Sequence, residues 1–428
     1  MAFADVSDVV SKVVNVMKSK RVLYLSYDGM TDPLGQSQVL PYLVGLSKFG
    51  YEFTLLSFEK PGVYEEKKDR VVAICQEAGV HWIPLLYTKK PPILSTVKDV
   101  MAMKSVAERL HRKKPFDIVH CRSYIAAIVG LGLKKKTGVK FIFDMRGFWA
   151  DERVDGGLWR LKNPLYKTVY RFFKKKERQF VQEADSIISL THAGKAEIQN
   201  WNLHVPEITV IPCCVDTDLF DPKKENSGDL IRKHLRIPST VPVIGYVGSL
   251  GTWYELPEMM DFFKCWQELN PESIFLFVTP EPKFLILEAA RKAGINEQAI
   301  RITVCTRKEM PDHIAAMNYG LFFIKQAYSK KASSPVKQGE LMAMGLPVIC
   351  NTGVGDSDKI VENYNSGVLV KKYSSESYRL AAHQTLESCF NPLEIRQGAI
   401  AYFDLSKGIH AYKTVYQKLL APILHETN

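Results

Sequence analysis

Lys330 to Asn351 reads KKASSPVKQGELMAMGLPVICN, a stretch that gathers three lysines, two serine hydroxyls and one carboxylate around a single helix start. Ser334 and Pro335 suit the N-cap and first helical positions, because a hydroxyl accepts from an unpaired backbone N–H and proline has no N–H to leave unpaired. A helix is therefore expected from Pro335, ending at Gly345, Leu346 and Pro347. Lys337 then falls in the first turn, where the helix dipole disfavours a cation by roughly a few tenths of a kcal/mol unless an anion is present. A phosphate removes the conflict, since N-terminal amides, the hydroxyls of Ser333 and Ser334 and the ammonium groups of Lys330, Lys331 and Lys337 can converge on it. Glu340 lies three residues after Lys337 on the same face, where its carboxylate can accept from a ribose diol. A nucleoside diphosphate fits this set. The same residues also read as a surface helix with an ordinary cap and solvated lysines.

The elements that must position this helix are strand-length apolar runs alternating with amphipathic stretches. Arg21–Tyr27, Phe53–Phe58, His81–Pro84, Ile118–Cys121, Phe141–Phe143, Ser186–Leu190 and Thr209–Pro212 are expected strands. After a polar bridge, Asp216–Thr240, the rhythm resumes with Val243–Val247, Ile274–Val278, Ile302–Val304, Gly320–Ile324, Pro347–Cys350 and Gly367–Val370. Strands separated by helices make parallel sheets with crossover connections, so two doubly wound domains are expected, followed by a helical tail from Gln397 to Leu424. In such sheets ligands sit beyond the carboxyl ends of the strands.

The chain has 428 residues, 46% hydrophobic and 24% charged, which is enough for two cores. Met1–Arg21 carries acidic residues without a cleavage pattern after an apolar region, and no run reaches the roughly 18 apolar residues that span a bilayer. A cytoplasmic chain is expected. The eight cysteines form no CxxC pair and read as buried thiols. There is no GxxxxGK[ST] and no GxGxxG after a strand, which argues against a P-loop NTPase and a dehydrogenase-type dinucleotide site.

The net charge is +11. Between Arg160 and Arg178 basic side chains, Lys174, Lys175 and Lys176 among them, interleave with aromatics, and Glu177 is the only acid. Such a helix either lies on an anionic membrane surface or is a solvated helix whose aromatics face the core. No nucleic-acid module accompanies the charge, so no nucleic-acid partner is expected.

Taken in order, DGMTDPLGQSQVLPYLVGLSKFGYE, TVIPCCVDTDLF, YVGSLGTWY and SSPVKQGELMAMGLPVICNTGVGD resemble the GT-B glycosyltransferases of family 4, which use nucleotide sugars and retain anomeric configuration. The likeness covers nearly the whole chain and is most specific over Ser334–Asn351. It implies an α/β fold of the GT-B type, two Rossmann-like doubly wound parallel-sheet domains facing a central cleft. Residues 1–215 would form the acceptor-side domain, 216–400 the nucleotide-sugar domain, and 401–428 a C-terminal helix packing back on the first domain. The implied activity is retaining transfer of a hexosyl group from a nucleotide-diphosphate sugar to a glycan or lipid-linked saccharide, in surface polysaccharide or glycolipid synthesis, peripheral to the inner face of the cell membrane. A UDP-sugar epimerase of the same fold and a non-catalytic glycosyltransferase-like binding subunit are the alternatives.

The resemblance carries over to individual positions. Gly35, with Gln36 behind it, matches the glycine turn near the donor diphosphate; an ordinary turn is the other reading. Asp144 stands where many relatives have a histidine near the donor sugar, and with Arg146 it is either catalytic or a structural ion pair. Trp149, Asp151 and Glu152 follow on the acceptor side. Relatives place a second glutamate eight positions before Glu340, where this chain has Ala332. Relatives also carry basic residues after the first strand of the second domain, where this chain has Ser249 in a loop without a basic group. Positive charge for the diphosphate would then come from Lys330, Lys331, Lys337, Arg307 or Lys325. Asp356 and Asp358 read as a loop near the donor sugar, with a metal role as the lesser alternative. No cofactor is expected, and no metal is required if lysines and helix amides neutralise the diphosphate.

Overall fold

A computed structural model describes residues 19–224 and 227–421. The first sheet contains β1 (Lys20–Ser26), β2 (Tyr51–Glu59), β3 (His81–Leu86), β4 (Ile118–Arg122), β5 (Lys140–Asp144), β6 (Ser186–Ser189) and β7 (Ile208–Val210), in the order β3-β2-β1-β4-β5-β6-β7. The second contains β8 (Val243–Val247), β9 (Ile274–Val278), β10 (Ile300–Thr303), β11 (Tyr319–Phe322), β12 (Val348–Asn351) and β13 (Gly367–Val370), in the order β10-β9-β8-β11-β12-β13. Neighbours pair in parallel, as in β1–β2, β1–β4, β8–β9 and β11–β12. Each expected strand is present, its ends shifted by no more than two residues. The runs are readable because central strands are covered on both faces: Val22, Leu23 and Leu25 of β1 and Phe275, Leu276 and Phe277 of β9 are all fully buried.

The chain divides into two compact units, one holding residues up to Ile142 together with those from Tyr416 onward, the other Phe143–Val415. In the first unit the loop after β1 is pressed between two tight contacts. Glu59, fully buried at the end of β2, accepts from the backbone N–H of Met30 (2.8 Å) and Thr31 (3.0 Å) and from the Thr31 hydroxyl (2.6 Å). On the other side a Cβ at Gly35 would lie 2.2 Å from the Gly29 carbonyl oxygen, so only glycine permits this approach. Gly35 lies inside the short helix Pro33–Gln38 rather than in the turn expected of it, and Gln36 donates to the Thr31 carbonyl at 3.2 Å. In the same unit the Tyr416 hydroxyl meets His120 Nδ1 at 2.7 Å.

In the second unit, residues that follow β6 are tied to segments on both sides of β12. The Thr191 hydroxyl donates to the Lys331 carbonyl at 2.7 Å, and Asp356 accepts from the N–H groups of His192 (2.6 Å) and Ala193 (3.0 Å), capping the helix His192–Gln199. These bonds hold residues on both sides of the 215/216 boundary in one compact unit.

The tail departs from one continuous helix. It forms Pro392–Phe403 and Leu405–Leu420, because Val215 inserts at Asp404: its N–H donates to the Phe403 carbonyl at 2.7 Å and its carbonyl accepts from Leu405 N–H at 3.0 Å. The last residues of that expected helix, like most of Met1–Arg21, lie outside the described residues. Among its described residues, the bridge Asp216–Thr240 contains the helix Gly228–His234. Six of the cysteines are buried as expected, Cys305 is half-buried and Cys389 is exposed.

Candidate active site

The helix expected at Pro335 runs from Val336 to Ala343, with Pro335 itself as the N-cap at φ −70° and ψ 113°. Ser334 is not the cap: its hydroxyl accepts from the Cys213 N–H at 3.2 Å, while the Ser333 N–H donates back to the Lys330 carbonyl at 3.1 Å. The segment is thus held from both sides, and the first amides of the helix are left without a side-chain cap.

Lys337 reaches from this first turn into a box of aromatic rings. Its ammonium donates to the Tyr246 hydroxyl at 2.6 Å and lies 3.9 Å from the Tyr246 ring centre and 3.3 Å from that of Tyr254. Tyr246 passes the chain on, donating to the Ser249 carbonyl at 2.8 Å. Lys337 is 7% exposed and, among the described residues, pairs with no carboxylate. Burial pushes its ammonium well below the ordinary lysine range, and the charge of Glu340 opposes this only in part. A Cβ built on Gly248, which has φ +87°, would lie 4.0 Å from Lys337 Nζ. The lysine therefore brings its charge to the loop after β8, the loop whose sequence has no basic residue.

Glu340 is likewise buried, and its Oε1 accepts from Arg307 Nη1 at 2.8 Å. Burial raises its carboxyl above the usual range, opposed by the charge and hydrogen bond of Arg307 and the charge of Lys337. Arg307 packs its guanidinium 5.4 Å from the centre of the Phe220 ring.

The remaining candidate cations are committed elsewhere. Lys330 is 4% exposed, bonds Glu152 at 2.6 Å and sits 3.5 Å over the Trp253 ring. Its ammonium is pushed down by burial and only partly restored by Glu152. Lys331 is exposed and bonds Glu197 at 2.9 Å, and Lys325 donates to the Asp155 carbonyl at 3.0 Å. The convergence of three lysines on one anion, expected from their spacing, is not what the structure shows. The 3-10 turn Tyr328–Ala332 points Lys330 and Lys331 at different partners.

Asp144 ends β5 fully buried, accepts from the Tyr412 hydroxyl at 3.0 Å and lies 3.8 Å from Arg146 Nη1. Arg146 takes the left-handed conformation, φ 57°, uncommon for a side-chain-bearing residue. Its Nη2 meets Cys213 Sγ at 3.4 Å. Beside this loop is Ala332, buried at 3% exposure. A Cβ at Gly147 would stand 3.6 Å from the Ala332 carbonyl oxygen, and one at Gly194 would stand 3.0 Å from the Ala332 methyl.

Of the acceptor-side group, Asp151 accepts from the Tyr170 hydroxyl (2.8 Å) and Lys174 (2.7 Å), and Trp149 packs edge-on against Trp159 and Phe173. Both serve the packing of the helix Pro164–Glu183. Glu152 is the partner of Lys330. Lys174 is corrected from a membrane-facing residue: it is half-buried between Asp151 and Glu177, which outweigh the effect of burial and hold its ammonium above the usual range. Lys176 bonds Gln179 at 2.9 Å, and Lys175 alone of the three is exposed. Asp356 lies in the turn before the helix Ser357–Asn363, where its carboxylate caps the helix His192–Gln199 and accepts from the Tyr402 hydroxyl at 2.7 Å. Asp358 accepts from the Gly353 N–H at 3.1 Å.

Tyr246, Tyr254, Trp253, Tyr412 and Cys213 were not foreseen. The first three flank the loop YVGSLGTWY, and an aromatic at each end of a glycine loop lacking basic residues was the available signal.

Two family models match the chain in succession, Glycosyltransferase Family 4 over residues 38–219 and Glycosyl transferases group 1 over residues 228–398. A D-inositol 3-phosphate glycosyltransferase of Corynebacterium urealyticum is 26% identical over 221 residues, covering 49% of this chain and 50% of the relative. The enzyme of the same name from Corynebacterium aurimucosum is 21% identical over 299 residues, 67% of this chain and 66% of the relative. The chain thus spans half to about two thirds of the length of the curated relatives it matches. Among solved structures, sucrose-phosphate synthase from Thermosynechococcus elongatus has a TM-score of 0.69 at 14% identity, covering 94% of this chain and 99% of that one. The Anabaena protein HepE in complex with UDP and glucose has a TM-score of 0.66 at 13% identity, covering 92% and 99%. At these identities the likeness is one of fold.

Proposed function

The chain belongs to the family-4-like glycosyltransferases of the GT-B fold, and we propose that it transfers a hexosyl group, with retention, from a nucleotide-diphosphate sugar to a glycan or lipid-linked saccharide. The observation that carries this reading is the buried ammonium of Lys337, held by tyrosines at a helix start without a carboxylate partner, one turn before Glu340. A buried cation so placed is offset by an anion, and the first amides of the helix carry no side-chain cap. The HepE structure, similar in fold, holds UDP and glucose.

In this reading the diphosphate sits at the start of the helix Val336–Ala343 and Glu340 receives the ribose diol. The acceptor hydroxyl oxygen forms a bond to the anomeric carbon as the bond from that carbon to the diphosphate oxygen breaks. The hydroxyl proton passes to the departing diphosphate on the same face of the sugar. Lys337 and the helix amides neutralise the charge that grows on the leaving group, which is preorganised electrostatic stabilisation. In this reading Asp144, whose carboxylate accepts from the Tyr412 hydroxyl, is assigned to hold a sugar hydroxyl. The lysine and amides supply the charge stabilisation, so the reaction needs no metal ion.

The test is a thermal-shift screen across UDP-, GDP- and ADP-sugars, followed by product analysis with saccharide acceptors and by assays with and without chelator. Stabilisation by one donor class and a product of retained configuration are expected. No stabilisation by any nucleotide sugar overturns the reading, and epimerised free donor without acceptor replaces it with epimerase activity.

A further inference from the structure

Two carboxylates in the loop after β1 reach the ends of the two strands beside it. β1 pairs with β2 on one side and with β4 on the other. The strand order therefore reverses direction between β1 and β4, the place where sheets of this kind admit a ligand. Arg122 closes β4 at that point, 4% exposed, and its Nε donates to Asp28 Oδ2 at 3.0 Å. On the other side Lys60, directly after β2, bonds Asp32 Oδ2 at 2.9 Å. Each cation beside the loop thus has its own carboxylate.

The loop is held still while one of its groups stays open. Between the two aspartates, Met30 and Thr31 are fixed by their bonds to Glu59, and before them the Tyr27 hydroxyl donates to Asp99 at 2.9 Å. The Asp28 side chain is nonetheless 45% exposed, and among the described residues its Oδ1 accepts from no donor. An ionised carboxylate only accepts hydrogen bonds, so what it takes from solution is a hydroxyl or an N–H. An anion is the competing ligand, because the helix Ser123–Thr137 starts from Arg122 without a side-chain cap and its first turn attracts negative charge. That attraction already has an answer in Asp28, which pairs with the side chain of the N-cap residue. A phosphate or carboxylate brought to this edge faces a like charge, whereas a sugar hydroxyl donates to it.

We propose that Asp28 selects the charge class of the acceptor: its Oδ1 takes a hydroxyl from an uncharged saccharide end, and phosphorylated or uronic acid ends are turned away. Arg122 holds the other oxygen and so fixes the direction in which the open one faces. This rests on the glycosyl-transfer reading above and names the acceptor class for that reaction.

The experiment is saturation-transfer NMR on the full chain, alone and with UDP, GDP or ADP added. The probes are methyl glucoside, methyl galactoside and methyl mannoside, each set beside its uronic acid and its phosphate monoester. The native chain is expected to bind at least one neutral glycoside about tenfold or more tightly than its charged counterparts. Asp28→Asn removes the like charge and takes from Arg122 its carboxylate, so the preference should fall to parity or invert. Asp28→Glu keeps the charge and should keep the preference. Charged probes bound by the native chain as well as neutral ones, or no glycoside bound in any arm, overturn the proposal even where Asp28→Asn melts too low to titrate. An Asp28→Asn chain with the native preference overturns it too. Donor binding is followed separately by thermal shift: nucleotide sugars that fail to stabilise the chain defeat the donor reading, while the glycoside preference is measured without them.

Discussion

The ammonium of Lys337 lies 3.3 Å from the centre of the Tyr254 ring, at the buried start of the helix that carries Glu340. A desolvated ring face attracts a cation by about 2 kcal/mol, less than the several kcal/mol lost when an ammonium leaves water. The site therefore holds its charge against the interest of folding, and in the proposed reading a diphosphate offsets it.

Lys337→Met keeps the volume of the side chain and removes its charge. Donor turnover should fall on the order of a hundredfold or more, while the melting temperature stays level or rises. A pH titration of stability gives a second readout. Because burial depresses the Lys337 ammonium, the unfolded chain binds the extra proton between the folded value and the unfolded value of roughly 10.4. Stability contributed by this group therefore rises with pH through that window. The rise should be smaller in the methionine variant when the two are compared by chemical denaturation. A loss of melting temperature with normal turnover would reject the assignment.

Arg307 occupies one oxygen of Glu340. Arg307→Leu removes the charge that opposes the effect of burial on the Glu340 carboxyl, so that carboxyl should rise further. Nucleotide binding that needs the ionised carboxylate is lost as pH falls through the folded value, and in the variant this loss should begin at higher pH. Calorimetry with the preferred nucleotide from pH 8 down to 5.5 checks it. Superimposable affinity profiles for the native chain and Arg307→Leu would remove Arg307 from the site, and Glu340→Gln should bind weakly at every pH.

The strands were legible because a buried parallel strand is a short continuous apolar run bounded by turn residues, whereas the apolar run of the helix Ser123–Thr137 is longer. The helix carrying Lys337 and Glu340 was legible for a different reason: proline, lysine and glutamate at fixed spacing constrain a helix start locally. What could not be read was which cation pairs with which anion. Lys330 meets Glu152 and Lys174 meets Asp151 across 178 and 23 residues, and spacing along the chain carries no information about such meetings. The phase of the helix Pro164–Glu183 was nonetheless written in the stripe Phe173, Glu177, Phe180. Lys174 sits beside that stripe, so its inward turn had a local signal that charge counting alone overlooked.

Tyr412→Phe tests the support of Asp144. The hydroxyl donates to a fully buried carboxylate, and removing one donor from such a group typically costs about 1–3 kcal/mol. The variant should melt lower and, if Asp144 holds a sugar hydroxyl, lose kcat while nucleotide affinity stays within about twofold. Equal loss of nucleotide affinity and kcat would show that Tyr412 acts on the fold at large rather than through Asp144.

Ala332→Glu restores the carboxylate that relatives carry, and here it should harm rather than help. Ala332 is itself only 3% exposed, so a glutamate there must either overpack its neighbours, at about 1–3 kcal/mol, or bury a charge near Lys330, whose ammonium already has Glu152. Ala332→Gly adds no volume and should leave folding within about 1 kcal/mol of the native chain. Melting curves and donor turnover for the two variants decide it. If the glutamate variant is as stable as the native chain and turns over faster, then the carboxylate was lost without structural cause, and Lys337 does not substitute for it.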